Sequence, residues 1–192
     1  QKKINLLNKS RTIGISKSNI EFFNDTIINV DKIAWKLKKI EIFSDNLREE
    51  KLINFENNNN ELFSIIRNQN LFEVLEKSLS KDKYFKRFHF LKNYNFFDDY
   101  NLVINTDFTS SITKKYFSKK ILKKYNSFAY TTILKHEKIE NDTAVQIFTK
   151  LGPLAFLPIS KKETSVVYSF YNKKNENIID LIKQYNQKYK IL

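Results

Sequence analysis

Glycine and proline are rare in this chain, and most of them fall in one short segment. Three of the four such residues lie within the run Gly152, Pro153, Leu154, Ala155, Phe156, Leu157, Pro158. Glycine permits close approach of the backbone to another group, whereas proline fixes φ and removes an N–H donor. The simplest interpretation is a turn that leads into a buried strand. The sequence on either side decides whether this run also has a chemical role.

The titratable residues indicate little acid–base or metal chemistry. His89 and His136 are isolated, and neither has a partner at the spacing of a metal site. No Ser-His-Asp order is evident, and Glu137, Glu140 and Asp142 are typical of a solvated turn. We therefore assign no catalytic residue and no metal ligand from the sequence.

The residues flanking the Gly-Pro run extend it into a longer pattern. Ala144, Gln146 and Phe148 precede the run, and the stretch from Ser165 to Ser169 follows it. The order and spacing closely resemble A-x-Q-x-F-x-x-x-G-P-L-A-x-L-P-L, followed by s-x-V-W-S, in the flavin-dependent aromatic hydroxylases of ubiquinone biosynthesis. These enzymes are class A flavoprotein monooxygenases. The match is much more specific than a lone glycine-rich loop.

Weaker matches to the same family occur upstream, in the order that the family has them. Residues 11–16 resemble R-T-x-A-L-S, and residues 67–71 resemble the start of a helix that passes near the flavin. Residues 102–111 resemble L-V-x-G-A-D-G-x-x-S, and Tyr125 with Ala129 matches Y-x-x-x-A ahead of the substrate-domain sheet. The resemblance therefore runs from about Arg11 to Tyr168.

The resemblance implies an α+β fold, in which part of an FAD-binding α/β lobe precedes a mainly antiparallel β-sheet substrate domain. Residues 1–70 would form a partial FAD-binding lobe and the first substrate-domain strands. Residues 71–125 would add an FAD-lobe helix, a strand and a divergent Asp-Gly motif, and residues 126–192 the antiparallel sheet with a terminal helix. The implied cofactor is FAD, with NAD(P)H as co-substrate. The implied reaction is hydroxylation of the aromatic ring of a prenylated phenol or quinone precursor with O2.

The family's nucleotide contacts carry over to two residues. Arg11 would pair with the FAD phosphates, since a guanidinium offers fixed donors to phosphate oxygens. Asp107 would lie beside the FAD pyrophosphate, or would simply cap a helix through backbone donors.

The run 152–158 would form a wall that faces the flavin ring and the aromatic substrate. An apolar wall with few free N–H groups keeps water away from the reaction. Phe156 and Leu157 would pack on the substrate ring or belong to the core, and strand alternation lets one face each way.

Departures from the family pattern support a second interpretation. The fingerprint G-x-G-x-x-G is absent before Arg11, and the late G-D motif is absent as well. Asn105 and Phe108 replace glycines, and Lys114 replaces the usual arginine. We therefore expect an internal fragment of a longer chain. The alternative is a degenerate, non-catalytic relative that binds a lipid or quinone precursor, or acts as a scaffold subunit.

Composition bounds the remaining classes of function. A chain of 192 residues that is 41% hydrophobic can bury a sizeable core. The absence of cysteine excludes disulfides and thiolate catalysis. A net charge of +13 invites a nucleic-acid partner, but the basic residues are spread along the chain, which argues against one. Positive charge also suits an anionic membrane surface. We expect a cytoplasmic protein, peripheral at the inner face of the membrane or associated with a ubiquinone-biosynthesis complex.

Local patterns predict the elements. One helix should follow a cap at Ser16 or Ser18, and another a cap at Asp31. Further helices are expected from Leu71 to Leu79 and from Ile178 to Tyr185. Strands, several of them in an antiparallel meander, are expected at residues 39–44, 62–66, 84–90, 100–104, 127–135, 144–150 and 164–171. A polar loop is expected at residues 57–60.

Overall fold

The computed structural model describes residues 10–45, 50–57, 60–87, 100–107, 109–117, 121, 123–171 and 177–192. The chain divides into two compact units. The larger unit holds the described residues up to Asp82 and those from Asn126 onward, and the smaller unit lies within Lys83–Tyr125.

A three-stranded antiparallel sheet begins the larger unit. Its order is β1 (Thr12–Ser16), β5 (Phe63–Arg67) and β2 (Ala34–Leu37). Helix α1 (Lys17–Phe22) follows β1 and passes into a π-helical turn at Phe23–Ile27. The Oγ of Ser16 accepts from the Asn19 N–H, which confirms the cap predicted there. Ile15, Ile20, Val30 and Ile66 form the core beside this sheet.

A six-stranded sheet makes up most of the larger unit. Its strands are β3 (Lys39–Ser44), β4 (Lys51–Glu56), β6 (Ser127–Lys135), β7 (Thr143–Thr149), β8 (Gly152–Pro158) and β9 (Glu163–Tyr171). Their order is β4-β3-β7-β8-β9-β6. The β3–β7 pair is parallel, and the other pairs are antiparallel.

Three further helices complete the described elements. Helix α2 (Asn68–Leu79) follows β5 in the larger unit, and α3 (Ser111–Tyr116) lies in the smaller one. Helix α4 (Ile178–Tyr185) packs its buried Ile182 with Leu154, Phe156 and Tyr168 of the six-stranded sheet. Among the described residues, no helix is long and apolar enough to cross a membrane.

The observed elements agree with an α+β fold that contains a large, mostly antiparallel sheet. The strands expected at 39–44, 62–66, 127–135, 144–150 and 164–171 are present within one or two residues, as are helices α1 and α4. Helix α2 is also present and begins three residues before Leu71, at Asn68. Residues 57 and 60 lie between β4 and β5, as the polar loop predicted. The FAD-binding lobe and the three-part division of the chain stay predictions.

Four expectations about local structure were wrong. Asp31 does not begin a helix, because residues 34–37 pair with β5 as strand β2. Residues 100–104 form no strand and are exposed, and residues 84–87 form no strand either. Residues 88–90 of that predicted strand, with His89, lie outside the described residues. The strands also do not form a simple meander, since β6 pairs with β9 rather than with β7.

Candidate functional site

The Gly-Pro run is itself strand β8, between β7 and β9. Leu154, Phe156 and Pro158 are buried on one side, which we call the inner face. Pro153, Ala155 and Leu157 alternate with them on the opposite side, which we call the outer face. Phe156 joins the core beneath α4, whereas Leu157 packs against the cluster of Leu37, Ile65 and Ala144. Phe156 and Leu157 therefore face opposite ways, as strand alternation predicted.

The fold itself requires glycine at position 152. Gly152 has φ of +147°, a backbone conformation that L side chains rarely adopt. A Cβ at this position would also collide with the backbone carbonyl oxygen of Ser169 on β9. Close approach of two strands therefore accounts for this glycine without any ligand.

The two prolines lie where β8 is paired on one side only. Pro153 faces Phe148 of β7, and pairing with β9 begins one residue later, at Leu154. Pro158 faces Thr164 of β9, whereas pairing with β7 has ended at Phe156. A missing N–H costs least at such ends of a strand. The run is thus a strand with proline at each end, preceded by the turn at residues 150–151.

The outer face is mainly apolar around Ala155. The cross-strand partners of Ala155 are Gln146 on β7 and Val167 on β9, and directly opposed residues project to the same side of a sheet. Phe148, opposite Pro153, is 46% exposed. Ala155 and Val167 are half-buried. This part of the sheet offers small and apolar side chains with a single amide, that of Gln146, among them.

The three-stranded sheet contacts one side of the outer face through polar bonds. The Thr12 hydroxyl donates to the Ser165 hydroxyl over 3.1 Å, and the Ser10 and Thr131 hydroxyls are 2.7 Å apart. Residues 163, 165 and 167 share one side of β9, and Thr131 lies opposite Val167. These contacts therefore bring the start of β1 to the outer face.

An ion pair strengthens the same junction. The Arg67 guanidinium donates to the Glu163 carboxylate over 2.7 Å, and both side chains are about two-thirds or more buried, with 24% and 32% of their side-chain area exposed. Arg67 ends β5 and Glu163 begins β9. The pair therefore ties the two sheets together beside the chain segment that carries Arg11.

Arg11 lies directly between Ser10 and Thr12, and its side chain is exposed. The Asn68 N–H donates to the Arg11 carbonyl oxygen over 3.1 Å, so the first turn of α2 meets the start of β1. Within the described part of the chain, the guanidinium of Arg11 takes part in no hydrogen bond or ion pair.

Asn68 carries an unusual acceptor. Its Oδ1 is buried and has no hydrogen-bond donor among the described residues. The N-cap position of α2, Arg67, makes no side-chain cap either. A buried oxygen without a donor costs about 1–3 kcal/mol. Only a hydroxyl or N–H donor would satisfy this oxygen, and a phosphate would not, since phosphate is itself an acceptor.

Asp107 belongs to the smaller unit, whereas Arg11, Asn68 and strand β8 belong to the larger one. Its Oδ1 accepts from the Thr109 hydroxyl at 2.7 Å and from the Thr109 N–H at 2.8 Å. These bonds from Thr109 hold the pKa of Asp107 below its ordinary value. The N-cap of α3 is Ser110, whose hydroxyl accepts from the Thr113 N–H, so Asp107 holds the preceding turn rather than the cap. Phe108 lies outside the described residues.

A buried polar network lies at the start of β9, around Thr164, the residue that follows Glu163. His136 Nδ1 is 2.7 Å from the Glu137 carbonyl oxygen and must therefore carry the proton, which leaves Nε2 to accept from the Thr164 hydroxyl at 3.1 Å. Asn141 donates to the same hydroxyl and accepts from Tyr189. His136 is thus a satisfied structural residue. In the described residues, no group of three His, Cys, Asp or Glu side chains could hold a metal.

A cavity of about 340 Å³ lies behind β8, on the inner face. Its walls include Val145, Ile147, Phe156 and Tyr189. The Tyr185 hydroxyl closes one side by donating to Asp45 over 2.8 Å. The cavity is therefore separated from the outer face by the sheet, and it belongs to the packing of α4 and the following residues.

Comparison with known proteins adds little to this description. No family model matches the chain, and no curated protein matches it in sequence. Among solved structures, tetracycline destructase Tet(51) is similar at 12% identity with a TM-score of 0.47, over 95% of this chain and 54% of that one. The chain spans about half the length of that protein. A likeness at this level defines neither the fold nor the chemistry of this chain.

The sequence predicted some residues of the candidate site, and other residues of the site were missed. The wall and Arg11 lie in the same unit, and Asp107 lies in the other. Asn68 was inside a matched segment but was not singled out. The Arg67–Glu163 pair and the Thr12–Ser165 bond were missed, because their partners are 96 and 153 residues apart.

Proposed function

We propose that this chain is part of an FAD-dependent monooxygenase that hydroxylates the aromatic ring of a prenylated ubiquinone precursor. The sum of the reaction is ring C–H, O2, NAD(P)H and a proton giving ring C–OH, water and NAD(P)+. The proposal rests on the ordered sequence matches between Arg11 and Tyr168. The supporting structural observation is that two matched segments, remote in sequence, are hydrogen-bonded through Asn68 and Arg11.

The outer face of β8 suits the wall that this function requires. Ala155 is small and leaves room for a planar ring, and Val167 and Phe148 give apolar contact beside it. Pro153 has no N–H, so this end of the wall offers water no donor. Such a surface binds an aromatic ring and excludes water from it. Gln146 supplies the polar group, an amide that can orient a ring hydroxyl.

The nucleotide contacts fit FAD in part. The Arg11 guanidinium suits a phosphate, and the Asn68 Oδ1 suits a hydroxyl such as those of the ribityl chain or the ribose. FAD, when bound, supplies the redox chemistry with NAD(P)H and O2. Asp107 fits less well, since Thr109 already engages one of its oxygens. The chain's own contribution is to bind FAD and the aromatic substrate, to orient them, and to exclude water from the reaction.

Flavin content tests the cofactor. The product of the complete reading frame that encodes this chain should be purified, and its absorbance and FAD fluorescence measured. We expect stoichiometric flavin, and weaker retention of it by Arg11→Gln than by Lys150→Gln, an exposed lysine in the β7–β8 turn. Protein that neither contains FAD nor quenches its fluorescence on titration would contradict the proposal.

A bulky side chain on the outer face tests the wall. Ala155→Phe should abolish hydroxylation of a prenylated phenol while flavin content stays unchanged, because it fills the space for the ring. Thr132→Phe, at an exposed position of edge strand β6, adds similar bulk away from the outer face and should keep activity. Equal activity of the two variants, with both folded by circular dichroism, would rule out the wall.

A non-catalytic binding function is the second candidate. Leu52, Ile53 and Phe55 of edge strand β4 are each nearly half exposed, which gives an apolar surface suited to a prenyl chain. The replacement of family glycines by Asn105 and Phe108 favours this candidate. Binding of a prenylated phenol by flavin-free protein, without turnover when FAD is added, would support it. Stoichiometric FAD in the purified protein would exclude it.

A further inference from the structure

The net charge of the chain is concentrated in the smaller unit. Its 43 residues, Lys83–Tyr125, carry ten of the lysine and arginine residues and three of the aspartate and glutamate residues, a net charge of +7. The whole chain has +13, so the other 149 residues carry +6. The basic residues taken alone look evenly spread, but the acidic residues that neutralise them are mostly elsewhere. A field of one sign over so short a stretch attracts an anionic partner.

The same unit exposes large apolar side chains. Among its described residues, Leu102 is 74%, Ile104 78% and Ile121 100% exposed. The exposed aromatic residues among those described in this unit are Tyr84, Phe85, Tyr100, Tyr116, Phe117 and Tyr125. Isolated exposed apolar residues are ordinary, but this many in one small unit indicate a surface that is covered by a partner.

Basic and aromatic groups are interleaved in this unit. Lysine ammonium groups lie 4.8–5.2 Å from ring centroids in the pairs Lys83–Tyr84, Lys115–Tyr116 and Lys123–Tyr125. Each pair presents a cation beside an amphipathic ring. This combination is what the headgroup region of an anionic bilayer accepts, since the ring enters the interface while the ammonium meets lipid phosphate.

The aliphatic side chains decide between a bilayer and a nucleic acid. Single-stranded nucleic acid also binds lysine and aromatic rings, through its phosphates and by stacking of bases. Leu102, Ile104 and Ile121 have no flat ring on which a base could stack, and their burial needs an apolar medium. We propose that the smaller unit binds the surface of an anionic lipid bilayer through these lysines and apolar side chains. This proposal is independent of the flavin chemistry, since the test below uses neither flavin nor substrate.

Vesicle sedimentation tests the proposal. The 192-residue chain should bind phosphatidylcholine vesicles that contain phosphatidylglycerol, and bind pure phosphatidylcholine vesicles much less. Added salt should weaken the binding, because it screens the lysines from the lipid charge. Failure to bind the anionic vesicles at low salt would overturn the proposal.

Matched variants locate the surface. The double variant Lys114→Gln and Lys115→Gln should lower the partition coefficient by about 10- to 30-fold, from about fivefold per lysine. Lys161→Gln with Lys162→Gln removes the same charge from the exposed β8–β9 turn of the larger unit and should change partitioning less than twofold or so. An equal loss in both variants would mean that net charge alone drives binding, and would overturn the assignment to the smaller unit.

Two further measurements test the role of the apolar side chains and the alternative of a nucleic-acid partner. Leu102→Ser with Ile104→Ser should remove the vesicle binding that survives high salt, while circular dichroism stays unchanged. If this variant binds the vesicles at high salt as strongly as the parent protein does, the proposed contribution of the apolar side chains to binding is wrong. Tighter binding to single-stranded RNA than to anionic vesicles at the same salt concentration would overturn the proposal and indicate that the partner of the smaller unit is a nucleic acid.

Discussion

The amide N–H of Asn68 donates to the carbonyl oxygen of Arg11 over 3.1 Å, and this bond joins the first turn of α2 to the start of β1. It extends the β1–β5 ladder, in which Thr12 pairs with Arg67, by one step. The hydroxyls on either side of Arg11 bond to Thr131 and Ser165 of the six-stranded sheet. The backbone of Arg11 is therefore held from two directions while its guanidinium stays exposed.

Asn68→Ala separates a structural from a binding role for this residue. The side chain gains no hydrogen bond at Oδ1 in the described structure, so its removal should leave the free energy of unfolding unchanged or raise it by about 1 kcal/mol. Flavin binding by the complete gene product should weaken about tenfold. Urea unfolding and FAD titration measure the two effects. A large loss of stability, with flavin affinity intact, would make Asn68 purely structural.

Gly152→Ala should destabilise the chain by about 3 kcal/mol, because alanine strains the backbone at φ +147° and collides with the Ser169 carbonyl. Gly14→Ala is the matched control. Its Cβ would meet only the outer atoms of the Phe63 ring, which can turn away at a cost of about 1 kcal/mol. Urea midpoints compare the two variants. Equal losses would contradict the close approach of β8 to β9.

Thr164→Val should cost about 2 kcal/mol, because it leaves His136 Nε2 buried without a hydrogen-bond donor. Asn141 keeps its bond to the Ser160 carbonyl and is less affected. Thr132→Val, at an exposed position on β6, makes the same chemical change and should alter stability by less than about 0.5 kcal/mol. A small effect of Thr164→Val in thermal unfolding would show that the network is not needed.

Alkaline pH should destabilise the chain through Tyr189. Burial raises the pKa of its hydroxyl above the ordinary value of 10.0, so the folded chain holds the proton more tightly than the unfolded chain. The resulting stability is fully present below pH 10.0 and is lost as pH rises through the raised pKa.

Tyr189→Phe should remove the part of the stability loss at alkaline pH that Tyr189 causes. At neutral pH the variant should be less stable by about 1 kcal/mol, because it lacks the hydrogen bond to Asn141. Above about pH 10 its free energy of unfolding should fall less steeply with pH than that of the parent protein. Urea unfolding at a series of alkaline pH values measures both. Parallel profiles for the two proteins would contradict the assignment.

Local sequence determined most of the regular elements, because their causes are local. Ser16 caps α1 with its own hydroxyl, and the apolar spacing from Leu71 to Leu79 makes α2. Alternation along residues 152–158 placed Phe156 and Leu157 on opposite sides of a strand, which the structure confirms. These features depend on residues within one or two turns of each other.

Tertiary structure decided what depends on distant partners. Trp35 lies in a strand rather than a helix, because Ala34–Leu37 pairs with β5 and the indole N–H donates to the Asn141 carbonyl, 106 residues away. The parallel pairing of β3 with β7 and the bond between Asn68 and Arg11 likewise join segments with no local signal for each other. Burial of shared apolar surface and satisfaction of backbone hydrogen bonds select such pairs only once the whole chain is folded.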